Sequence, residues 1–541
     1  MKWLLQNHKL PLSLDEVIKV LMQNRKVDDS SKFLNPKKIS QLQAKDFAID
    51  SKIIQKLVDR LQLAKQQNQK IVVFGDYDAD GILGTAILWE SLNLFGLDVL
   101  PYIPSRTEHG YGLSIKALEQ IFAKSKPDLI ITVDNGIVAH KAVDYARNQG
   151  VDVIITDHHQ PESTLPMANQ IVHSTEVCGA AVAWLIARSL TPDHALNIVD
   201  LVAVATIADM VPLQGTNRTL AKYGLEALAK TTRPGLKALI YHAGLDKRPV
   251  DSFLVGFGIA PRINAMGRIA SGLDALRLIC TKSTTRATEL AKLLNDTNST
   301  RQQLTDSLLD EAISQAKQQE QEHLLIVESE KFHDGLVGLI AGRMVEAFYK
   351  PAIVISKAGQ VARASARSVY GVNIIELIRL VKDDLIDVGG HPMAAGFTVE
   401  MAKIEAVKRQ LFSHSRITIS KQQLQPQLFV DAELPLSLCN IELMERLKEL
   451  EPYGQANQPP VFAIKNLEIV KAESLGKDKR HLKLIVCQSD SVPLECIFWN
   501  QAKLLAVIET GQRVSVAGSP SLNQWNGHKE IQLVLSDLTL E

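Results

Sequence analysis

Acidic side chains and histidines follow directly after short apolar runs at several places in this 541-residue sequence. They are Asp76, Asp78 and Asp80 after residues 71–74, Asp134 after residues 129–133, Asp157, His158 and His159 after residues 153–156, and Asp209 after residues 201–208. The first three apolar runs have the length and composition of buried strands. Because ligands of an open parallel sheet bind beyond the carboxyl ends of its strands, we expect these side chains to converge in one crevice.

A group of aspartates held close together is stable only when cations neutralise it. Carboxylate oxygens with one or two imidazoles suit manganese or magnesium better than zinc, which prefers thiolates and histidines. Two such ions, about 3.5–4 Å apart, would stabilise both the attacking and the leaving oxygen of a phosphoryl displacement. His158 and His159 are neighbours and would point apart on an extended strand end. One of them would then be a metal ligand, and the other would serve in acid chemistry or orient an aspartate.

Two simpler interpretations compete with a metal centre. The run from Asp76 to Gly81 resembles the start of a calcium-binding EF-hand loop, but Ile87 stands where that loop requires a glutamate, and a strand precedes the run. An Asp-Gly pair after a strand is usually a plain turn. Three such clusters at successive strand ends, with paired histidines, favour one functional site over three unrelated turns.

A second set of residues could bind phosphate groups. They are Arg106 after a predicted strand, Arg268 at the end of the segment 261–268, Ser365 and Arg367 in an alternating, strand-like run, and His391 after Gly389 and Gly390. Guanidinium groups bind phosphates through parallel hydrogen bonds. A single arginine, taken alone, is more often a surface or ion-pair residue.

The elements that must position these residues are those of a multidomain α/β protein. Strands and helices alternate from about residue 52 to 215, which predicts a parallel, doubly wound sheet in a domain that spans residues 51–282. Residues 283–322 predict one long connector helix, and residues 323–415 resume α/β character. Short strands with Gly, Asn and Pro turns over residues 425–541 predict a small β-barrel, and residues 1–50 are expected to form a helical segment.

Composition limits the classes of function. Lys and Arg together number 60, as do Asp and Glu, so binding of a polyanion would need local patches and metal ions. Five scattered cysteines without a Cys-x-x-Cys pair argue against a thiolate zinc site and favour a reducing cytoplasm. No apolar run approaches the roughly 18 residues that span a membrane, so we expect no membrane contact.

The motifs together resemble the DHH phosphoesterase superfamily. Residues 76–81, 133–136 and 157–159 resemble its first three motifs, and residues 206–213 resemble its fourth. Residues 261–268, the Gly389-Gly390-His391 motif of a DHH-associated domain and a terminal OB-like barrel resemble its branch of bacterial single-strand-specific 5′→3′ DNA exonucleases. The resemblance covers about residues 30–541. It departs from the family pattern at residues 172–174 and 178–181, which lie outside the metal motifs.

The resemblance implies an exonuclease that releases nucleoside 5′-monophosphates from single-stranded DNA with Mn²⁺ or Mg²⁺, two ions being expected. It implies that Asp78, Asp80, Asp134, His158 and Asp209 hold the metals, with Asp76, Asp157 and His159 completing or supporting the site. It also implies that Arg106, Arg268, Ser365, Arg367 and His391 contact the 5′-phosphate and the DNA backbone.

The same resemblance implies a role in DNA repair and recombination, with a single-stranded-DNA-binding protein and a RecQ-like helicase as partners. We expect a cytoplasmic monomer. One rival is another enzyme of the superfamily, acting on short oligonucleotides, cyclic dinucleotides or pyrophosphate; the extra domain after residue 425 disfavours it. Another is a non-catalytic DNA-binding or scaffold protein, which the full set of acidic residues disfavours.

Overall fold

A computed structural model describes residues 1–110, 112–357, 360–488, 492–525 and 528–541 of the chain. The N-terminal part forms a strand and two helices, β1 Lys2–Leu5, α1 Leu14–Asn24 and α2 Ser30–Leu34. Helix α1 begins after Ser13, whose hydroxyl accepts the amide of Glu16. Val17 and Leu21, one turn apart on this helix, are fully buried, so α1 presents an apolar face to a neighbour.

The first sheet is parallel and doubly wound, as the sequence predicted. Its strands are β2 Lys70–Phe74, β3 Asp98–Tyr102, β4 Leu129–Thr132, β5 Asp152–Asp157 and β6 Gln170–His173, in the order β3-β2-β4-β5-β6. The helices around it are α3 Ser51–Gln66, α4 Ala79–Phe95, α5 Arg106–His109, α6 Ile115–Lys124, α7 His140–Asn148, α8 Gly179–Leu190, α9 Pro192–Asn197 and α10 Val199–Ala208. Helices α4 and α10 are apolar on all sides because each is enclosed by other helices, and they pack against each other and against α8.

A helical segment links this domain to the second lobe. It comprises α11 Gly215–Leu228, α12 Pro234–His242, a π-helix Leu254–Ile259, α13 Ala260–Ile269, α14 Gly272–Cys280 and α15 Thr284–Lys317. Helix α15 has 34 residues and begins at Ser283, whose hydroxyl accepts the amide of Arg286. It packs on α12 and α13 at one end and on the second lobe at the other. The connector helix predicted from the sequence is therefore present.

The second lobe contains a mixed sheet. Its strands are β7 Leu325–Ser329, β8 Ala352–Ser356, β9 Val361–Arg367, β10 Asp387–His391 and β11 Ala394–Glu400, in the order β10-β11-β9-β8-β7. Only β7 and β8 pair in parallel among these described strands. The helices of this lobe are α16 Val337–Phe348, α17 Ile374–Arg379 and α18 Ile404–Thr418.

The third sheet lies at the C-terminal end of the chain. Its elements are β13 Ala432–Glu433, α19 Ile441–Lys448, β14 Phe462–Leu475, β15 His481–Cys487, β16 Leu494–Phe498, β17 Arg513–Trp525 and β18 His528–Leu540, preceded by β12 Gln427–Val430. The pairings run β14-β15-β16-β18-β17 and return from β17 to β14. Short 3₁₀ helices among the described residues span Ile39–Gln41, Ala44–Phe47, Lys382–Asp384, Met401–Lys403, Leu436–Leu438 and Ala502–Ala506.

The N-terminal residues pack against this third sheet. Strand β1 pairs in parallel with β12, and the core that contains Leu21 and Phe33 also contains Phe462 and Leu484. We call residues 1–34 and 425–541 together the C-terminal body. The predicted α/β fold class is confirmed, whereas the division of the chain near residues 50, 282, 322 and 425 stays a prediction. None of the helices described here has the length and apolarity that a bilayer crossing requires.

Candidate metal centre

The carboxyl ends of β2, β4 and β5 meet at one edge of the first sheet, and the predicted acidic side chains lie there. His158 is at the centre of the group. Its Nε2 atom lies 3.0 Å from Oδ1 of Asp134, 3.7 Å from Oδ2 of Asp80 and 3.6 Å from Oδ2 of Asp209. Asp209 reaches this group from the C-terminal end of α10 rather than from a strand. The structure thus brings the four separate sequence segments together.

Three groups of side chains bring their ligand atoms within 4.8 Å of one another. They are Asp134 with His158 and His159, Asp80 with His158 and Asp209, and Asp76 with Asp78 and Asp134. His158 and Asp134 each belong to two groups, and shared ligands of this kind allow two neighbouring cations to be held. Every residue predicted to bind metal lies in at least one group; their assignment as ligands stays a prediction.

The electrostatics of the group fit divalent cations. Burial and repulsion by Asp80 raise the pKa of Asp134 well above its usual range and raise the pKa of Asp209 to about 8. Oδ1 of Asp134 and Nε2 of His158 lie 3.0 Å apart without hydrogen-bond geometry, and neither atom has a hydrogen-bond partner among the described residues. Buried polar atoms normally have partners. A donor set of carboxylates with imidazole suits Mn²⁺ or Mg²⁺.

Asp80 is oriented by the N-terminus of α8. Its Oδ2 accepts the amide of Gly179 at 2.6 Å, and its Oδ1 accepts the amide of Ala180 at 2.8 Å. The positive end of a helix dipole stabilises such an anion. A Cβ atom on Gly179 would stand 2.6 Å from the Cβ of Asp134, so glycine is required. The binding of Asp80 by these two amides was not predicted from the sequence. The signal that could have indicated it is a glycine at the start of an apolar helix.

The loop that carries Asp76 and Asp78 is braced by helix α13. The side-chain oxygen of Asn264 accepts the amide of Ala79 at 2.8 Å. Gly267 lies so close that its Cβ would stand 2.1 Å from a carbonyl oxygen of the loop. Burial, with repulsion by Asp78, raises the pKa of Asp76 well above its usual range. The sequence predicted a phosphate-binding role for Arg268 on this helix, whereas the supporting roles of Asn264 and Gly267 are visible only in the structure.

Asp157 and His159 form a supporting pair. Oδ1 of Asp157 accepts hydrogen bonds from the amides of His158 and His159 and lies 2.8 Å from Nδ1 of His159, while its Oδ2 accepts the amide of Ile137 at 2.9 Å. Burial would raise the pKa of Asp157, but the His159 contact outweighs burial and holds the pKa below its usual value. Burial is likewise outweighed at His159, where Asp157 raises the pKa to about 9. By contrast, burial lowers the pKa of His158, which favours the neutral imidazole that binds metals.

Arginines line the side of the site that faces the second lobe. The Arg106 guanidinium lies 5.3 Å from the centroid of the Tyr77 ring. Nη1 of Arg268 donates to the carbonyl of Gly335 at 3.0 Å, which ties α13 to the second lobe. Burial, then the neighbouring Arg106 and Arg301, lower the pKa of Arg268 to about 10. Cations that repel one another in a buried site favour an anionic ligand. Arg301 was not identified from the sequence.

Ser365 and Arg367 lie together at the start of α16. Nη1 of Arg367 donates to Oγ of Ser365 at 3.1 Å, and burial lowers the pKa of this arginine. A Cβ on Gly338, in the first turn of α16, would stand 3.0 Å from Nη2 of Arg367. His391 ends strand β10 and is exposed, and the described residues include no hydrogen bond or ion pair between it and the rest of the site. The structure groups Ser365 with Arg367, and it places His391 in the same row of the sheet as Arg367, because His391 pairs with Ala394 and Ala394 pairs with Arg367.

Aromatic residues of the C-terminal body differ in whether they offer a free ring face on which a base could stack. Trp499 is half exposed and meets the ring of His481 edge-on at 4.8 Å. Tyr453 donates its hydroxyl to the carbonyl of Leu447 at 2.7 Å and packs in the core of the body, so it does not offer a free face. The side chain of Trp525 lies outside the described residues.

The chain is similar to known protein families along most of its length. Residues 70–206 match the DHH family, N-terminal domain; residues 321–413 match the DHHA1 domain; and residues 430–537 match the RecJ OB domain. The chain is 35% identical over 500 residues to a protein of Bacillus subtilis named single-stranded-DNA-specific exonuclease RecJ, covering 90% of this chain and 63% of that relative. It is 30% identical over 522 residues to the protein of the same name in Salmonella typhimurium, covering 90% of each.

A solved structure agrees with these sequence comparisons. The crystal structure of RecJ in complex with Mn²⁺ from Thermus thermophilus superimposes with a TM-score of 0.83 at 30% identity, over 99% of this chain and 79% of that chain. A second structure of that protein, in complex with Mg²⁺, gives a TM-score of 0.76 at 28% identity. The chain thus spans less than two thirds of the Bacillus relative and most of the other two proteins.

Proposed function

Because the chain belongs to the RecJ family of single-stranded-DNA-specific exonucleases, we propose that it degrades single-stranded DNA from the 5′ end. It would release nucleoside 5′-monophosphates by hydrolysis with two divalent ions, Mn²⁺ or Mg²⁺. The observation that carries the proposal is the sharing of His158 and Asp134 between groups of potential ligands at the strand ends.

The residues that would hold the ions are Asp78, Asp80, Asp134, His158 and Asp209, with Asp76 beside them. When bound, the ions would supply charge stabilisation for the attacking and leaving oxygens of the phosphodiester. The protein keeps His158 neutral by burial, so that its Nε2 lone pair is available. Asp157 fixes the position of His159 through Nδ1, and the amides of α8 fix that of Asp80. This fixed arrangement would place the ligands before the substrate arrives.

The 5′ end of the strand would be held between the two lobes. Arg106 and Arg268 lie on the metal side, and Ser365 and Arg367 lie at the start of α16 on the other side. A terminal phosphate contacting both sides would set the distance from the strand end to the scissile bond. His391, which is exposed on β10 in the same row of the sheet as Arg367, would contact the strand beside it. We propose that a groove of this kind admits one strand.

The cellular setting belongs to the same proposal. The enzyme would act in the cytoplasm in DNA repair and recombination, as a monomer. A single-stranded-DNA-binding protein and a RecQ-like helicase would present its substrate. The C-terminal body would bind the strand beyond the active site, where exposed Trp499 offers a ring for stacking.

The test is a time course with Mn²⁺ on 5′-phosphorylated oligonucleotides, single-stranded and blunt duplex, labelled at either end. Wild type is compared with Asp134→Asn and with a chelator control. We expect mononucleotides from the 5′ end of the single strand only, and none in either control. Survival of long strands together with cleavage of dinucleotides or pyrophosphate would instead establish a small-substrate phosphoesterase.

A further inference from the structure

A buried arginine fastens the first domain to the C-terminal body. Nε of Arg218, on α11, donates to the carbonyl of Phe33 at 2.6 Å, and Nη1 donates to that of Leu450 at 2.9 Å. Nη2 donates to the carbonyls of Glu449 at 3.2 Å and Glu451 at 2.9 Å. The guanidinium also lies 3.8 Å from the centroid of the Phe33 ring. One side chain thus binds both stretches of chain that make up the C-terminal body.

The loop between Asp209 and α11 is fixed to the same body. The amide of Leu213 donates to the carbonyl of Gln455 at 2.8 Å, and Nε2 of Gln214 donates to the carbonyl of Arg25 at 3.0 Å. Leu213 is buried at this contact. The loop is therefore held by α10 at one end and by the C-terminal body at the other.

Asn217, next to Arg218, extends the connection to the metal centre. Its Nδ2 donates to the carbonyl of Pro212, in the loop that follows Asp209, at 3.1 Å. The same nitrogen donates at 2.8 Å to the carbonyl of Glu176, which is three residues before the α8 amide that binds Asp80. The start of α11 thus contacts the C-terminal body on one side and two loops of the metal centre on the other.

Asp209 depends on its backbone for its position more than Asp80 and Asp157 do. Asp80 accepts two amides of α8, and Asp157 accepts several hydrogen bonds. No hydrogen bond to the Asp209 carboxylate is present within the described part of the chain, and its Oδ2 lies 3.6 Å from Nε2 of His158. Its position is consequently set by the loop that Arg218, Leu213 and Gln214 anchor.

We propose that docking of the C-terminal body through Arg218 positions Asp209 for metal binding. Arg218 is then a positioning residue for the metal centre, and the body does more than bind DNA. The inference rests on the proposed function for the identity of the metal. Its test, however, measures Mn²⁺ binding by the free protein without DNA. Failure of the exonuclease assay and failure of this inference are therefore separate results.

The experiment measures Mn²⁺ binding by the full-length protein, by titration calorimetry and by electron paramagnetic resonance of free Mn²⁺. Arg218→Lys keeps the charge but cannot reach all four carbonyl oxygens, because an ammonium has three donors. The matched control is Arg188→Lys, since Arg188 also donates to backbone carbonyls, those of Ile39, Ser40 and Leu42, at the far end of α8. Melting in chelator confirms that each variant is folded.

We expect Arg218→Lys to weaken Mn²⁺ binding on the order of tenfold, the usual effect of losing a support of a metal ligand. Turnover at limiting Mn²⁺ would fall in parallel and recover at high Mn²⁺, whereas Arg188→Lys would match wild type. In an Asp209→Asn background the Arg218→Lys substitution should have no further effect on Mn²⁺ affinity, because both act through one carboxylate.

Unchanged Mn²⁺ affinity in folded Arg218→Lys, with DNA binding weakened or not, would overturn the inference. If that variant does not fold, Gln214→Ala decides the question, since it removes the side-chain hydrogen bonds to the carbonyls of Arg25 and Ala456 and leaves Arg218 in place. We expect it to weaken Mn²⁺ binding in the same direction by a smaller factor. Wild-type affinity in Gln214→Ala would then contradict the proposal.

Discussion

Glu90 on α4 and Arg233 just before α12 form a two-point ion pair. Oε1 of Glu90 lies 2.6 Å from Nη1 of Arg233, and Oε2 lies 3.0 Å from Nη2. Nε2 of His194 lies 3.3 Å from the same carboxylate. Burial would raise the pKa of Glu90, but His194 and Arg233 outweigh it and lower the pKa to about 2. The pair joins α4 to the residues that precede α12.

This pKa shift predicts an acid-labile contribution to stability. The folded-state pKa of Glu90 is about 2, below the ordinary 4.5. Its contribution to the free energy of unfolding is therefore fully present above about pH 4.5 and is lost as the pH falls towards 2. The shift corresponds to about 3 kcal/mol. We expect Glu90→Gln to lower the melting temperature at pH 7 and to flatten its fall below pH 4.5. Calorimetry over pH 3–7 measures both effects, with the exposed Glu346→Gln as control. A variant that melts like wild type at pH 7 would contradict the assignment.

Substitution of Asp134 is expected to separate catalysis from folding. Asp134→Asn removes a carboxylate that burial and its neighbours disfavour. We therefore expect a melting temperature in chelator no lower than that of wild type. Addition of Mn²⁺ should raise the melting temperature of wild type and raise that of the variant much less. The rate of hydrolysis by the variant should fall by at least 10³-fold, on the order seen when a group essential to catalysis is removed. Near-normal turnover in this variant would refute the metal assignment, and the exposed Asp144→Asn serves as the control.

Gly179 is predicted to be essential for a steric reason. Gly179→Ala places a methyl group 2.6 Å from the Cβ of Asp134, so α8 must move away from the site. The amide that binds Asp80 would move with it, and both Mn²⁺ affinity and turnover should fall by tenfold or more. In the control Gly342→Ala the new Cβ meets no atom within 4 Å on helix α16, so that variant should keep full activity. Equal activity of the two variants would show that the α8 contact is dispensable.

Arg367 is predicted to recognise the terminal phosphate. Arg367→Gln should raise the KM for 5′-phosphorylated strands by about tenfold, because the loss of one charge-assisted hydrogen bond has an effect of that order. It should change the KM for 5′-hydroxyl strands much less. Nη1 of Arg363, four residues earlier on β9, lies 2.8 Å from a carboxylate oxygen of Asp334, so Arg363→Gln is the control. An equal loss on both kinds of strand end would exclude a specific role in end recognition.

Sequence patterns predicted the first sheet and its acidic edge because both depend on local order. Apolar runs of strand length ended at Asp76, Asp134 and Asp157, and parallel pairing necessarily placed those ends side by side. Helix α15 was predicted for the same reason, since its residues at helical spacing lie within one continuous segment. These features need no knowledge of distant contacts.

Other features depend on contacts between segments far apart in sequence, which no local pattern encodes. The amide of Gly179 binds Asp80 across about 100 residues, and Arg218 binds carbonyls near residues 33 and 450. The sequence predicts that residues 1–50 form a separate helical segment, yet Leu21 and Phe33 complete the core of the C-terminal body. Hydrophobic spacing identified their buried face without identifying the partner that covers it.

The pairing of β1 with β12 fixes an order of events during synthesis. Residues 1–34 leave the ribosome before residues 425–541, and the surface that buries Leu21 and Phe33 is completed only when β14 and the strands after it have emerged. At ordinary elongation speeds of about 5–20 residues per second, the interval is roughly 25–100 s. During that time the apolar face of α1 lacks the core that covers it in the folded protein, and Arg218 lacks most of its acceptors. A segment that is translated later therefore completes the packing of one that is translated earlier.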